Sequence, residues 1–62
     1  MKLWIARDFD ENLTLHFDRP TWIGKHEYWY SSHIVELDYT LFPEVTFENS
    51  PHKVKIELVK EE

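Results

Sequence analysis

In the stretch Arg7-Asp8-Phe9-Asp10-Glu11-Asn12, side chains carrying oxygen recur at every second position: Asp8, Asp10 and Asn12. That cadence opens a calcium-binding EF-hand loop, whose first, third and fifth positions supply oxygen ligands. The same loop needs glycine at its sixth position and a bidentate glutamate at its twelfth. Counted from Asp8, those positions hold Leu13 and Arg19. Leucine resists the backbone turn, and arginine repels the ion. The flanks alternate as strands do. A tight turn between two β-strands explains the stretch better. The spacing predicts a short hairpin loop with Asp10 and Glu11 in the turn and Asn12 in the left-handed conformation it tolerates. Phe9 then lies opposite Leu13, Arg7 opposite Leu15 and Ile5 opposite Phe17, which groups apolar residues on one face. The other face carries Trp4, Ala6, Thr14, His16 and Asp18. Trp4 and His16 are exposed there unless the long segment 19–33 folds over them, which is the expectation for so small a domain.

Ser31, Ser32 and His33, together with the many carboxylates, are the residue types of a nucleophile, a base and an orienting group. They occur without a frame: there is no GxSxG, no phosphate-binding glycine loop and no HExxH. Histidines stand at 16, 26, 33 and 52, and no pair has the HxH, HxxH or HxxxH spacing that sets two metal ligands side by side. A sheet built from 62 residues also has little volume for a pocket of ordinary size. The reading is therefore not an enzyme, with no catalytic residue, no cofactor and no metal ligand assigned.

The elements that must position these residues are strands. Period-two alternation runs through Leu3 and Ile5, through Leu13, Leu15 and Phe17, and most cleanly through Val54, Ile56 and Leu58. The spacing predicts an all-β fold of about five short strands, at 2–9, 13–18, 27–37, 44–48 and 53–60, with a break in the third near Ser31 and Ser32. Short connections favour a small antiparallel sheet or a partly open barrel. At most one short helical turn is expected near 38–42, with Asp38 as its cap and Pro43 as its stop.

Composition narrows the function. The 62 residues, 1–62, read as a single small domain that starts at Met1. Domains of this size have marginal cores, usually reinforced by disulfides, a metal or a partner subunit. Cysteine is absent, which excludes disulfides, thiolate metal sites and a cysteine nucleophile. Aromatic residues, 16% of the chain, are the alternative source of buried area; self-association is the next. No signal peptide and no apolar run of membrane-spanning length is evident, so a cytoplasmic protein without a membrane partner is expected. Twelve acidic residues against 7 basic ones give a net charge of −5, and the basic residues are scattered singly. Direct nucleic-acid binding needs clustered Lys and Arg and is not expected. An acidic domain can instead meet a basic partner.

Two segments are dense in rings. Trp22, Tyr28, Trp29 and Tyr30 surround Gly24, Lys25 and His26. Tyr28 and Tyr30 share a face of an extended chain and Trp29 opposes them, so at least one ring is expected at the surface or at an interface. The segment Leu41-Phe42-Pro43-Glu44-Val45-Thr46-Phe47-Glu48-Asn49-Ser50-Pro51 can anchor through Phe42, Val45 and Phe47. Residues 48–50 are expected to turn into the last strand, with Asn49 or Ser50 bonding the backbone.

The motifs LWIARD (residues 3–8) and LFPEVTFENSP (residues 41–51), with the alternating strand that follows, resemble a set of small proteins of gut Bacteroides genomes and their mobile elements or phages. The resemblance spans most of the chain apart from 19–33. Such proteins often have glycine in the first turn, where this chain reads Asp10-Glu11-Asn12. The resemblance implies no activity, cofactor or catalytic residue. The function expected from the residues is a non-catalytic module that binds a protein partner through an aromatic surface: Trp22, Tyr28 and Trp29, with Trp4 as an outlying candidate. Two other readings remain open: an acidic mimic that occupies the basic groove of a nucleic-acid-binding protein, and a structural homo-oligomer.

Overall fold

A computed structural model describes residues 2–55, 57 and 60. Among them are the strands β1 (Leu3–Arg7), β2 (Leu13–His16), β3 (Thr21–Ile23), β4 (Tyr28–Tyr30), β5 (Ile34–Leu37) and β6 (His52–Val54), and no helix. Four of them form an antiparallel sheet in the order β5-β2-β1-β6, and β3 pairs with β4 in a separate ribbon. The sheet does not close into a barrel.

The first hairpin is of the expected kind but is placed one residue earlier. The Asp8 N–H donates to the Asn12 carbonyl at 2.8 Å and the Glu11 N–H to the Asp8 carbonyl at 2.9 Å. The left-handed residue is Glu11, at φ 76°, not Asn12. Asn12 instead braces the turn from outside, its backbone N–H and side-chain amide both donating to the Asp10 carboxylate, at 3.2 and 3.1 Å. The register becomes Ile5↔Leu15 and Arg7↔Leu13, which corrects the expected Ile5–Phe17 and Arg7–Leu15 pairs. The slip is even, so each residue keeps its face. Phe9 and Phe17 lose their buried partners and are 57% and 41% exposed.

One face of the sheet buries Ile5 and Leu13 under Val45, with Leu15, Leu37 and Val54 packed around them. The opposite face buries Ala6, Thr14 and His16. Segment 19–33 folds back on that side, as expected. It is held by the Trp29 N–H, which donates to Asp8 Oδ1 at 2.8 Å, by the Phe9 N–H, which donates to the Glu27 carbonyl at 3.3 Å, and by Ser31 against His16 at 2.7 Å. His16 is therefore fully buried and Trp4 half-buried.

The stretch 27–37 is two strands in two sheets, separated at 31–33 where Ser31 turns inward. β3 was not foreseen. The expected strand at 44–48 is absent. The chain there is a series of turns around Val45, which is 2% exposed. Its alternation is real, since Val45 is buried and Glu44 is not. Its backbone, however, is engaged elsewhere: the Val45 N–H donates to the Phe42 carbonyl at 2.9 Å and the Val45 carbonyl accepts from Arg7. Asp38 caps a turn, accepting the Thr40 N–H at 2.8 Å, but no helix follows. The turn at 48–50 forms as expected. Asn49 Oδ1 accepts the Thr46 N–H at 2.8 Å, and the Ser50 hydroxyl donates to the Thr46 carbonyl at 2.6 Å. Of the expected strand 53–60, β6 contains Lys53 and Val54; Ile56, Leu58 and Val59 lie outside the described residues.

The β3–β4 turn closes through the Glu27 N–H, which donates to the Ile23 carbonyl at 2.8 Å with Glu27 at φ 60°. The lone glycine, Gly24, is not the residue at positive φ. A residue with a Cβ is strained in that conformation. Glu27→Gly is expected to stabilise the protein by about 0.5–1 kcal/mol, the left-handed penalty less the entropy that glycine adds to the unfolded chain. The melting temperature should rise by roughly 2–8 °C. A thermal melt showing no rise would mean that the turn holds Glu27 without strain.

Candidate functional site

The site is organised by Arg7, the third inward residue of β1 after Leu3 and Ile5. Its guanidinium enters the buried side, and the residue is 8% exposed. All five of its N–H groups donate to backbone carbonyls: Nε to Val45 at 2.6 Å, Nη1 to Glu11 and Tyr39 at 2.9 Å each, and Nη2 to Leu41 and Phe42 at 3.0 Å each. A planar fork that cannot deprotonate suits this role. It ties the first turn to the loop between β5 and β6. The Arg7 backbone N–H adds a bond to Ser50 Oγ at 2.8 Å.

That tie leaves an open groove of about 460 Å³ between the first turn and the long loop, bordered by Asp8, Phe9, Glu11, Tyr39, Phe47 and Glu48. Its volume lies within the range of roughly 300–1,000 Å³ usual for binding pockets. The expectation that so small a sheet has little room is corrected, because the loop rather than the sheet encloses the space.

Tyr39 and Phe9 stand at the rim, 67% and 57% exposed. Phe9 meets Phe47 edge-on with ring centres 5.2 Å apart. Phe47 lies 5.0 Å from Trp22, and Trp22 lies 5.3 Å from its cross-strand partner Trp29. A continuous line of rings thus runs from the ribbon to the groove. Edge-on and tilted pairs of this kind add to what their area burial contributes. Behind the rim, Asp8 is 9% exposed and accepts the Trp29 N–H at Oδ1, 2.8 Å away. Burial pushes its carboxyl above the ordinary value of 3.8; the Trp29 hydrogen bond pulls the other way, and the nearby Asp10 charge adds to the rise.

The four aromatic residues expected at an interface do not form one patch. Trp4, Trp22, Tyr28 and Trp29 are all half-buried. Trp22 and Trp29 come together and support Phe47 from behind. Tyr28 faces the other side of the ribbon with Tyr30, ring centres 6.3 Å apart and Tyr30 51% exposed. Trp4 sits on β1 opposite His16 and Lys53. Trp29 Nε1 is buried without an acceptor among the described residues.

The Ser-His-carboxylate types do meet, at Asp18, Ser32 and His33, on an exposed corner. The Ser32 hydroxyl donates to Asp18 Oδ2. His33 Nδ1 lies 3.2 Å from Ser32 Oγ and 3.9 Å from Asp18 Oδ2. In a hydrolytic relay the ring takes the hydroxyl proton on one nitrogen and is held by the carboxylate through the other. Here serine and carboxylate share one ring nitrogen, and the proton goes to the carboxylate. Ser31 belongs to a second, buried set with His16 and Thr14. No three His, Asp or Glu side chains among the described residues gather as a metal-ligand set.

Sequence reasoning passed over Arg7, Phe9, Tyr39 and Glu48. For Arg7 a signal existed: an arginine in the inward register of a strand must find many acceptors. The groove itself joins two segments far apart in the chain, 7–11 and 39–48, and no local pattern announces it. Comparison with family models, curated proteins and solved structures yields no match to this chain.

Proposed function

We propose that the protein is a non-catalytic protein-binding module whose contact surface is the aromatic rim of the groove. One observation carries this reading. Tyr39 and Phe9, the two most exposed large rings, flank a groove whose walls are pinned by Arg7. Exposed rings on a rigid frame are the usual anchors of protein interfaces, since little ordering is left to be done on binding. Trp22 and Trp29 enter this reading as support for Phe47 rather than as direct contacts. Among the described residues no helix is long and apolar enough to cross a membrane.

The test compares the wild type with the double variant Phe9→Ser/Tyr39→Ser as immobilised baits in a lysate of the cells that encode the protein. Both side chains are largely exposed, so the variant is expected to fold. The expected result is a protein retained by the wild type and lost by the variant. Identical captures would overturn the reading.

A further inference from the structure

We propose that this groove receives an arginine side chain of the partner protein, its guanidinium against Asp8, Glu11 and Glu48 and its stem between Phe9 and Tyr39. The inference rests on the binding-module reading and names the chemistry of the partner. The first argument is the balance of donors and acceptors. The acids bordering the groove are Asp8, Glu11 and Glu48, and its one cation is Arg7. Arg7 has no N–H left to offer, because all five are used on carbonyls. Asp8 Oδ1 is taken by the Trp29 N–H, and Oδ2 has no hydrogen bond among the described residues. Among the charged groups bordering the groove, the carboxylates therefore face no free cationic donor. A donor-rich cation matches that balance of charge, and charge-assisted bonds of that kind are the strong ones.

The second argument is shape. Phe9, Tyr39 and Phe47 present ring surface beside the carboxylates. A planar guanidinium stacks on rings and forks onto carboxylates at once, whereas a hydrated ammonium is less suited to both. The third is the position of Asp8. The fold leaves this residue 9% exposed, with Oδ1 bonded once and Oδ2 unbonded among the described residues but reached by solvent, and burial of the charge disfavours its ionised form. Binding sites are where such disadvantages persist. The net charge of −5 further favours approach of a basic segment.

The experiment titrates the isotopically labelled full chain by NMR with Ac-Gly-Gly-Arg-Gly-Gly-NH2 and with its lysine and citrulline counterparts. Saturable shifts are expected at the N–H groups of Asp8, Phe9, Tyr39 and Phe47. Citrulline keeps the shape of arginine without its charge and should bind about tenfold more weakly or worse. Asp8→Asn and Glu48→Gln should each weaken the arginine peptide by roughly threefold to tenfold. At pH 7, Asp8→Asn should melt at or above the wild-type temperature while binding less, which separates loss of a ligand contact from loss of fold. Equal affinity for citrulline, equal affinity for lysine, shifts away from the groove, or no saturable binding would each overturn the arginine assignment. The lysate capture separates the two levels. A partner lost with Phe9→Ser/Tyr39→Ser but kept by Asp8→Asn/Glu48→Gln leaves the module and removes the arginine. A partner kept by all variants removes both.

Discussion

Replacing Arg7 with methionine leaves a chain that does not fold at 25 °C. Methionine retains the apolar stem of the side chain and removes all five donors. The carbonyls of Glu11, Tyr39, Leu41, Phe42 and Val45 then lose the group that gathers them. Leaving a buried hydrogen-bonding group without its partner costs about 1–3 kcal/mol each time. A single core of this size seldom supplies more than roughly 3–5 kcal/mol in total. The two quantities are comparable, so the variant should show unfolded far-ultraviolet circular dichroism and collapsed amide dispersion. Arg7→Lys should be intermediate, since three rotatable donors replace a fixed fork of five. Urea titration should place it between the other two. A methionine variant with native dispersion and a near-wild-type urea midpoint would show that the loop holds itself and that Arg7 only fills a gap.

This arrangement explains how a domain without disulfides keeps a long loop in place. The β5–β6 connection contributes Val45 to the core and little regular structure. Its carbonyls would be unpaired at the end of the sheet without a partner, and Arg7 is that partner. The core and the groove are thus two sides of one device: the guanidinium fixes the loop whose outer surface carries Tyr39.

The strands were readable where alternation and pairing act together. Leu3, Ile5, Leu13 and Leu15 share a face because their spacing leaves no other arrangement. The expected register is two residues off because it pairs Phe9 with Leu13 as a core contact, whereas Arg7 takes that place. Arg7 is buried by its five acceptors, and Phe9 is released to the rim against Phe47. The segment 44–48 was misread for the same reason, since its alternation reflects burial of Val45 without a neighbouring strand. β3 is three residues, Thr21 to Ile23, too short to show a period. The contact residues were sought where rings are dense in sequence. The ribbon packs Trp22 and Trp29 against each other and leaves them half-buried, whereas Tyr39 in the β5–β6 loop is 67% exposed.

The other large effect concerns His16 and acid. His16 is 0% exposed, with Nε2 2.7 Å from Thr14 Oγ1 and Nδ1 2.7 Å from Ser31 Oγ. Thr14 can donate to the Ala6 carbonyl at 3.3 Å and Ser31 to the His33 carbonyl at 3.1 Å. Both hydroxyls can do so only if the ring donates from both nitrogens, as the imidazolium. Burial favours the neutral ring and lowers its pKa below 6.5. One hydroxyl must therefore turn to the ring. Keeping the shorter carbonyl bond assigns the remaining proton to Nδ1, with Thr14 donating to Nε2. The sign of the pH dependence follows. Above pH 6.5 the ring is neutral in folded and unfolded chains alike, and its full contribution is present. As pH falls below 6.5, the unfolded chain binds the proton first, and stability drops by up to about 1.36 kcal/mol per pH unit until the folded pKa is reached. Asp8 acts in the opposite sense: its raised pKa means that stability is gained as pH falls from its folded value toward 3.8. His16→Gln isolates the histidine. It should cost about 1–3 kcal/mol at pH 7, because a buried network is refitted around an amide. The gap between wild type and variant, read from urea midpoints between pH 8 and pH 5, should narrow on acidification, since only the wild type carries this proton linkage. A gap that stays constant across that range would mean that the buried ring takes up its proton as readily in the folded protein as in the unfolded chain.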